Sequence, residues 1–94
     1  MPASKWHLEQ KRERIVRDIN AHLDLLIGSV SSQGVSGRFN LTTKVEGKTT
    51  SRYIRAGMEK EVRRRTRRHL KLKALLKELA EVNWLLLKME MEHL

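Results

Sequence analysis

Cysteine is absent from the 94 residues. That excludes disulfides, cysteine-ligated zinc and a thiol nucleophile, while leaving the redox compartment open. Aromatic side chains are scarce: Trp6, Phe39, Tyr53 and Trp84 are the whole set. Long apolar runs are also missing. The longest is Trp84-Leu85-Leu86-Leu87, whereas a helix that crosses a bilayer needs roughly 20 apolar residues. No apolar signal segment occupies positions 1–9, so the sequence reads as soluble and cytoplasmic, with no membrane partner.

Acidic residues are the minority charge. Twenty Lys and Arg stand against 11 Asp and Glu, for a net charge of +9. The excess is segregated. Residues 1–36 carry net +1, residues 37–57 net +4, residues 58–73 net +6 and residues 74–94 net −2. A purely solubilising surface mixes its signs. A concentrated positive region favours a polyanion, nucleic acid before an anionic membrane surface. The apolar fraction, 39%, is enough for one small core in a single domain spanning 1–94.

Hydrophobic period then sets the elements. Ser4 is placed to cap a helix, and Leu8, Ile15, Ile19, Leu23 and Leu26 share one helical face behind it. Gly28 supplies a stop, so a helix is expected over 5–27. Residues 28–37, rich in Ser and Gly, read as a loop. From Arg38 the period falls to two. Phe39, Leu41 and Val45 alternate with Arg38, Asn40 and Lys44, and Glu46-Gly47 fits a two-residue turn. A hairpin over 38–55 follows. Pairing Val45 with Lys48 sets Phe39 opposite Ile54, Thr43 opposite Thr50 and Asn40 opposite Tyr53. From residue 58 onward there is no Gly or Pro, and a long helix is expected over 58–92. Leu72, Leu75, Leu79, Val82, Leu86 and Met89 recur three and four apart, a coiled-coil-like seam. That helix carries more apolar surface than one partner helix covers, so the seam is assigned to an oligomer interface, a two-fold dimer being simplest. The expected fold class is α+β: N-terminal helix, two-stranded β-hairpin and long C-terminal helix.

Two features carry chemistry. Between Lys60 and Lys73, eight residues are basic, and Lys60, Arg64, Arg67, Arg68 and Lys71 fall on one helical face, with Arg63 beside them. Arginine forks onto phosphate oxygens and reaches guanine edges. The alternatives are a solvated helix face, or contact with an anionic protein or membrane. The second feature is the polar face of the hairpin, where Arg38, Lys44 and Arg55 frame Tyr53. Such a ribbon enters a major groove, or is an ordinary strand face whose cations block edge pairing.

Other constellations are weaker. Trp6 and Trp84 read as core or interface. Glu78 and Glu81 sit beside Lys77, where ion pairing explains them better than acid–base catalysis. His7, His22, His69 and His93 lack ligand spacing. No nucleotide-binding or hydrolase motif occurs. The sequence therefore calls for no enzyme, cofactor or metal.

The order Gly-Ser-Val (28–30), Gly-Lys-Thr-Thr-Ser-Arg-Tyr-Ile (47–54) and Leu-Lys-Ala-Leu-Leu-Lys-Glu-Leu-Ala-Glu-Val-Asn (72–83) resembles a family of small bacterial and archaeal proteins often encoded in or near transposable elements. The resemblance covers about residues 25–90. Many members carry cysteines before the hairpin, in keeping with a metal knuckle; here that stretch is Ser-Gln-Gly-Val-Ser-Gly, so any such site is lost. The family has no established catalytic residues. The resemblance implies a mobile-element setting. The reading at this point is a small nucleic-acid-binding accessory protein, DNA favoured over RNA. Its alternative is a helical assembly protein, a transposase subunit or antitoxin, whose basic patch meets an acidic protein.

Overall fold

Ser4 starts the first helix. Its Oγ accepts a hydrogen bond from the His7 N–H at 3.2 Å, satisfying one of the donors that a helix N-terminus leaves open. This helix, α1, spans Lys5–Asn20. The structure is a computed structural model that describes residues 4–33 and 38–92. After α1 come three strands, β1 (Ser29–Gln33), β2 (Arg38–Val45) and β3 (Lys48–Ile54), and a second helix, α2 (Glu59–Glu92). The strands form one antiparallel sheet in the order β1-β2-β3. The fold is α+β. Among the described residues no helix is long and apolar enough to cross a membrane.

The chain divides into two compact units, one holding residues up to Leu23 together with those from Lys71 on, the other Asp24–Leu70. In the helical unit, Leu8 and Ile15 of α1 are buried against Leu75 and Val82 of α2, with Ile19, Leu79, Leu86 and Met89 packed around them. The pairing is antiparallel. Arg12 Nε donates to Asn83 Oδ1 at 3.1 Å, Lys11 reaches Glu78 at 4.0 Å, and Lys5 lies beside Met89 and Glu90.

This pairing corrects the expected oligomer interface. Leu75, Leu79, Val82, Leu86 and Met89 are covered by α1 of the same chain. Leu72, also assigned to that interface, is half-buried. Heptad-like spacing marks an apolar seam but does not say whose helix fills it. A tethered helix is present at high effective concentration and takes the seam first.

In the sheet unit, one face is apolar. Leu41, Ile54 and Val62 are buried together, with Leu26, Val30 and Phe39 packed against them. Val62 brings the first turns of α2 onto this face. The pairing of β2 with β3 is Phe39 with Ile54, Asn40 with Tyr53, Thr43 with Thr50 and Val45 with Lys48, the register expected from the alternation. Both turn residues take positive φ, Glu46 at 50° and Gly47 at 80°, which is the type I′ geometry matched to strand twist. Val45 lies on the apolar face by register yet is 58% exposed, because it stands at the hairpin tip.

Two expectations are corrected here. The first helix stops at Asn20, not Ile27. Ala21 closes it in the right-handed region, the His22 N–H donates to the Ile19 carbonyl, and His22 Nδ1 lies 2.6 Å from the Asp18 carbonyl oxygen. Leu26 leaves the helix face and joins the sheet core, while Leu23 remains exposed. Second, part of the expected loop is strand β1, so the sheet has three strands. A lone hairpin is marginal in water. β1 hydrogen-bonds the far edge of β2 and sets Val30 opposite Leu41, adding one apolar side chain to the covered face. Residues 34–37 of that loop lie outside the described residues.

Candidate nucleic-acid interface

With one face of the sheet covered by helix and apolar side chains, the other is open. The register places Ser29, Ser31, Arg38, Asn40, Thr42, Lys44, Thr49, Ser51 and Tyr53 on it. None is acidic. Arg38 and Lys44 stand six residues apart on β2, about 20 Å by strand rise, and both are exposed. Between them Tyr53 is 65% exposed. Thr42 Oγ1 lies 3.4 Å from both Ser31 Oγ and Ser51 Oγ, tying the three strands by a row of hydroxyls. Arg55 follows β3 and is exposed. Thus Arg38, Lys44, Tyr53 and Arg55 are all solvent-facing. The hydroxyls, which the sequence pattern alone did not single out, complete the surface. Their signal was the density of Ser and Thr in β1 and β3.

The basic stretch of α2 divides by neighbour. Lys60, Arg63 and Arg67 are exposed and share one side of the helix at spacings of three and four. The Arg63 guanidinium stands 5.6 Å from the Phe39 ring centroid, a cation–π arrangement that fixes its direction. Arg63 and Arg67, with Thr66 and Leu70, line an open groove against Gly28, Ser29 and Val30 of about 320 Å³.

Arg64 and Arg68 correct the expectation of one uncovered row. Both are half-buried. Asp24 meets Arg64 at 3.5 Å and Arg68 at 3.2 Å. Glu61 accepts from Arg64 Nη2 at 2.6 Å and Nε at 3.1 Å, and from Arg65 Nε at 3.0 Å. Asp24 arrives here because α1 has already ended and the Leu26 N–H donates to the Arg65 carbonyl at 3.1 Å. A phosphate at Arg64 or Arg68 would first have to displace a carboxylate. Lys71, the last member of the expected row, is exposed and belongs to the helical unit.

Hydrogen bonds from the Arg64 and Arg65 guanidinium groups hold the Glu61 carboxyl at about 2, below the ordinary 4.5, and the contact with Glu61 raises Arg64. A depressed carboxyl contributes stability that is fully present above its ordinary value and disappears as pH falls through its folded value. Stability from Glu61 should therefore be lost between about pH 4.5 and 2. In wild type, carbon-detected NMR titration should place the Glu61 midpoint near 2. A midpoint at the ordinary value would show that the Arg64 and Arg65 contacts do not persist in solution.

Among the described residues no group of three His, Asp or Glu side chains stands close enough to hold one metal ion. No family model, curated protein or solved structure matches the chain.

Proposed function

We propose that this is a small cytoplasmic nucleic-acid-binding accessory protein, selective for duplex DNA, that binds through the open face of its sheet. The observation that carries this reading is a helix-backed sheet whose free face holds cations, hydroxyls and an exposed tyrosine, but no carboxylate. Three strands span about 10 Å between their outer axes, and the B-DNA major groove is about 12 Å wide. The A-form major groove is too deep and narrow for side chains to read, which favours DNA over RNA. In this arrangement Arg38, Lys44 and Arg55 neutralise phosphates. Tyr53, Asn40 and the hydroxyls reach base edges or sugar. Lys60, Arg63 and Arg67 add positive potential from the helix. The setting in a mobile element rests on the family resemblance.

A salt series with duplex DNA tests the reading. Log affinity should fall linearly with log salt. Arg38→Ala/Lys44→Ala/Arg55→Ala should flatten that slope by about 3, one for each phosphate that is no longer neutralised. Tyr53→Ala should weaken binding about tenfold or more without changing the slope. Arg64→Ala/Arg68→Ala should leave the slope nearly unchanged, since those side chains already hold carboxylates. Failure of wild type to bind any oligonucleotide at low salt overturns the proposal and favours an acidic protein partner.

A further inference from the structure

The inward seam of α2 is filled by α1, yet the same stretch of helix carries a second apolar row. Leu76, Ala80, Trp84, Leu87 and Met91 follow one another at spacings of four, four, three and four. On a helix these positions form a continuous stripe about 22 Å long, on the side away from Leu75 and Val82. All five are exposed. Trp84 is 60% and Met91 62% exposed. Singly exposed apolar residues are ordinary, but a contiguous row containing a tryptophan marks an interaction surface.

Two features of the row point to its occupant. The first is charge. Residues 71–77 carry Lys71, Lys73 and Lys77 and no acid, while residues 78–92 carry Glu78, Glu81, Glu90 and Glu92 against Lys88 alone. Two copies laid antiparallel about Trp84 bring Lys77 level with the partner's Glu92 and Lys88 level with the partner's Glu81, and oppose the helix dipoles. Two parallel copies align like with like. The second is size. The row is self-complementary when reversed about its centre. Leu76 then faces the partner's Met91, small Ala80 faces large Leu87, and Trp84 meets the partner's Trp84. Such an isologous contact is what a two-fold axis requires.

We propose that this stripe is a homodimer interface in which two α2 helices pack antiparallel, centred on Trp84. It is independent of the nucleic-acid reading, because no residue of the open sheet face takes part.

Sedimentation equilibrium of the full chain, without nucleic acid, measures the assembly. At concentrations on the order of tens of micromolar the mass should be twice the 11.0 kDa of one chain. Leu87→Glu should return it to monomer with unchanged circular dichroism, since Leu87 lies outside the buried cluster. A wild type that remains monomeric at millimolar protein, or a Leu87→Glu variant that still dimerises, overturns the proposal. Orientation is read separately, and the cysteine-free chain makes the readout clean. Under oxidation, a mixture of Ala80→Cys and Leu87→Cys chains should form the mixed disulfide dimer, while each variant alone should stay largely uncrosslinked. Efficient crosslinking of Ala80→Cys with itself would mean parallel pairing and overturn the antiparallel arrangement.

Discussion

Gly28→Ala is expected to cost about 3 kcal/mol or more and to lower Tm by about 15 °C. Gly28 sits at φ 140°, a region that side chains with a Cβ rarely enter. A Cβ there would lie 2.5 Å from the Thr42 carbonyl oxygen and 2.7 Å from Thr43 Oγ1. The first is backbone of the central strand, so it cannot swing aside. The second is engaged, since Thr43 Oγ1 donates to the Ile27 carbonyl at 2.6 Å. Relief requires β1 to move away from β2, and with it Val30. Gly47 is the control. It also has positive φ, 80°, but a Cβ there meets nothing within 4 Å. Gly47→Ala should therefore show backbone strain alone, about 1 kcal/mol. Thermal unfolding followed by circular dichroism compares the two. Equal losses would mean that the close approach of Gly28 to β2 is not present in solution.

In the helical unit the largest effect is expected from Val82→Asp. Val82 is 2% exposed and packs with Leu8, Ile15 and Leu75, with no polar partner among them. A carboxylate there is either charged without a counter-ion or forced to take up a proton. A loss of about 4 kcal/mol follows, a large share of the stability of a chain this size. Ala74→Asp, at an exposed position of the same helix, should cost only the difference in helix propensity, about 0.5 kcal/mol. Amide hydrogen exchange locates the damage. Protection should fall in α1 and in α2 beyond Lys71. Unchanged protection in α1 would show that the two helices do not share this core.

The corrections at Arg64 and Arg68 have a shared origin in Asp24. Helical periodicity placed Arg64, Arg67 and Arg68 together correctly as a matter of angle, but angle does not reveal which neighbour occupies a side chain. Asp24 is 40 residues from Arg64 in sequence and reaches it only because the chain turns out of α1 after Asn20. Glu61, by contrast, is three residues from Arg64, and that pairing was readable from helical spacing. Strand β1 was hidden for a different reason. Its Ser-Val-Ser-Ser-Gln carries one apolar residue, too little for alternation to register, and its pairing is imposed by the open edge of β2.

What the sequence by itself determined was everything that depends on short-range sterics and period. The switch from period 3.6 to period two at Arg38 set the hairpin. Glu46-Gly47 set its turn and therefore its register, because a two-residue loop leaves one pairing. The unbroken run after Met58 set the long helix. Tertiary structure decided which apolar row is inside and which cations are open to solvent. The seam at Leu75 and Val82 and the row at Leu76 and Trp84 are both amphipathic, and only the docking of α1 distinguishes them. Likewise, the approach of Asp24 sets Arg68 apart from Arg63 and Arg67 and adds to the hold of Glu61 on Arg64. Burial and ion pairing are properties of pairs distant in sequence, and a one-dimensional pattern contains the faces but not the partners.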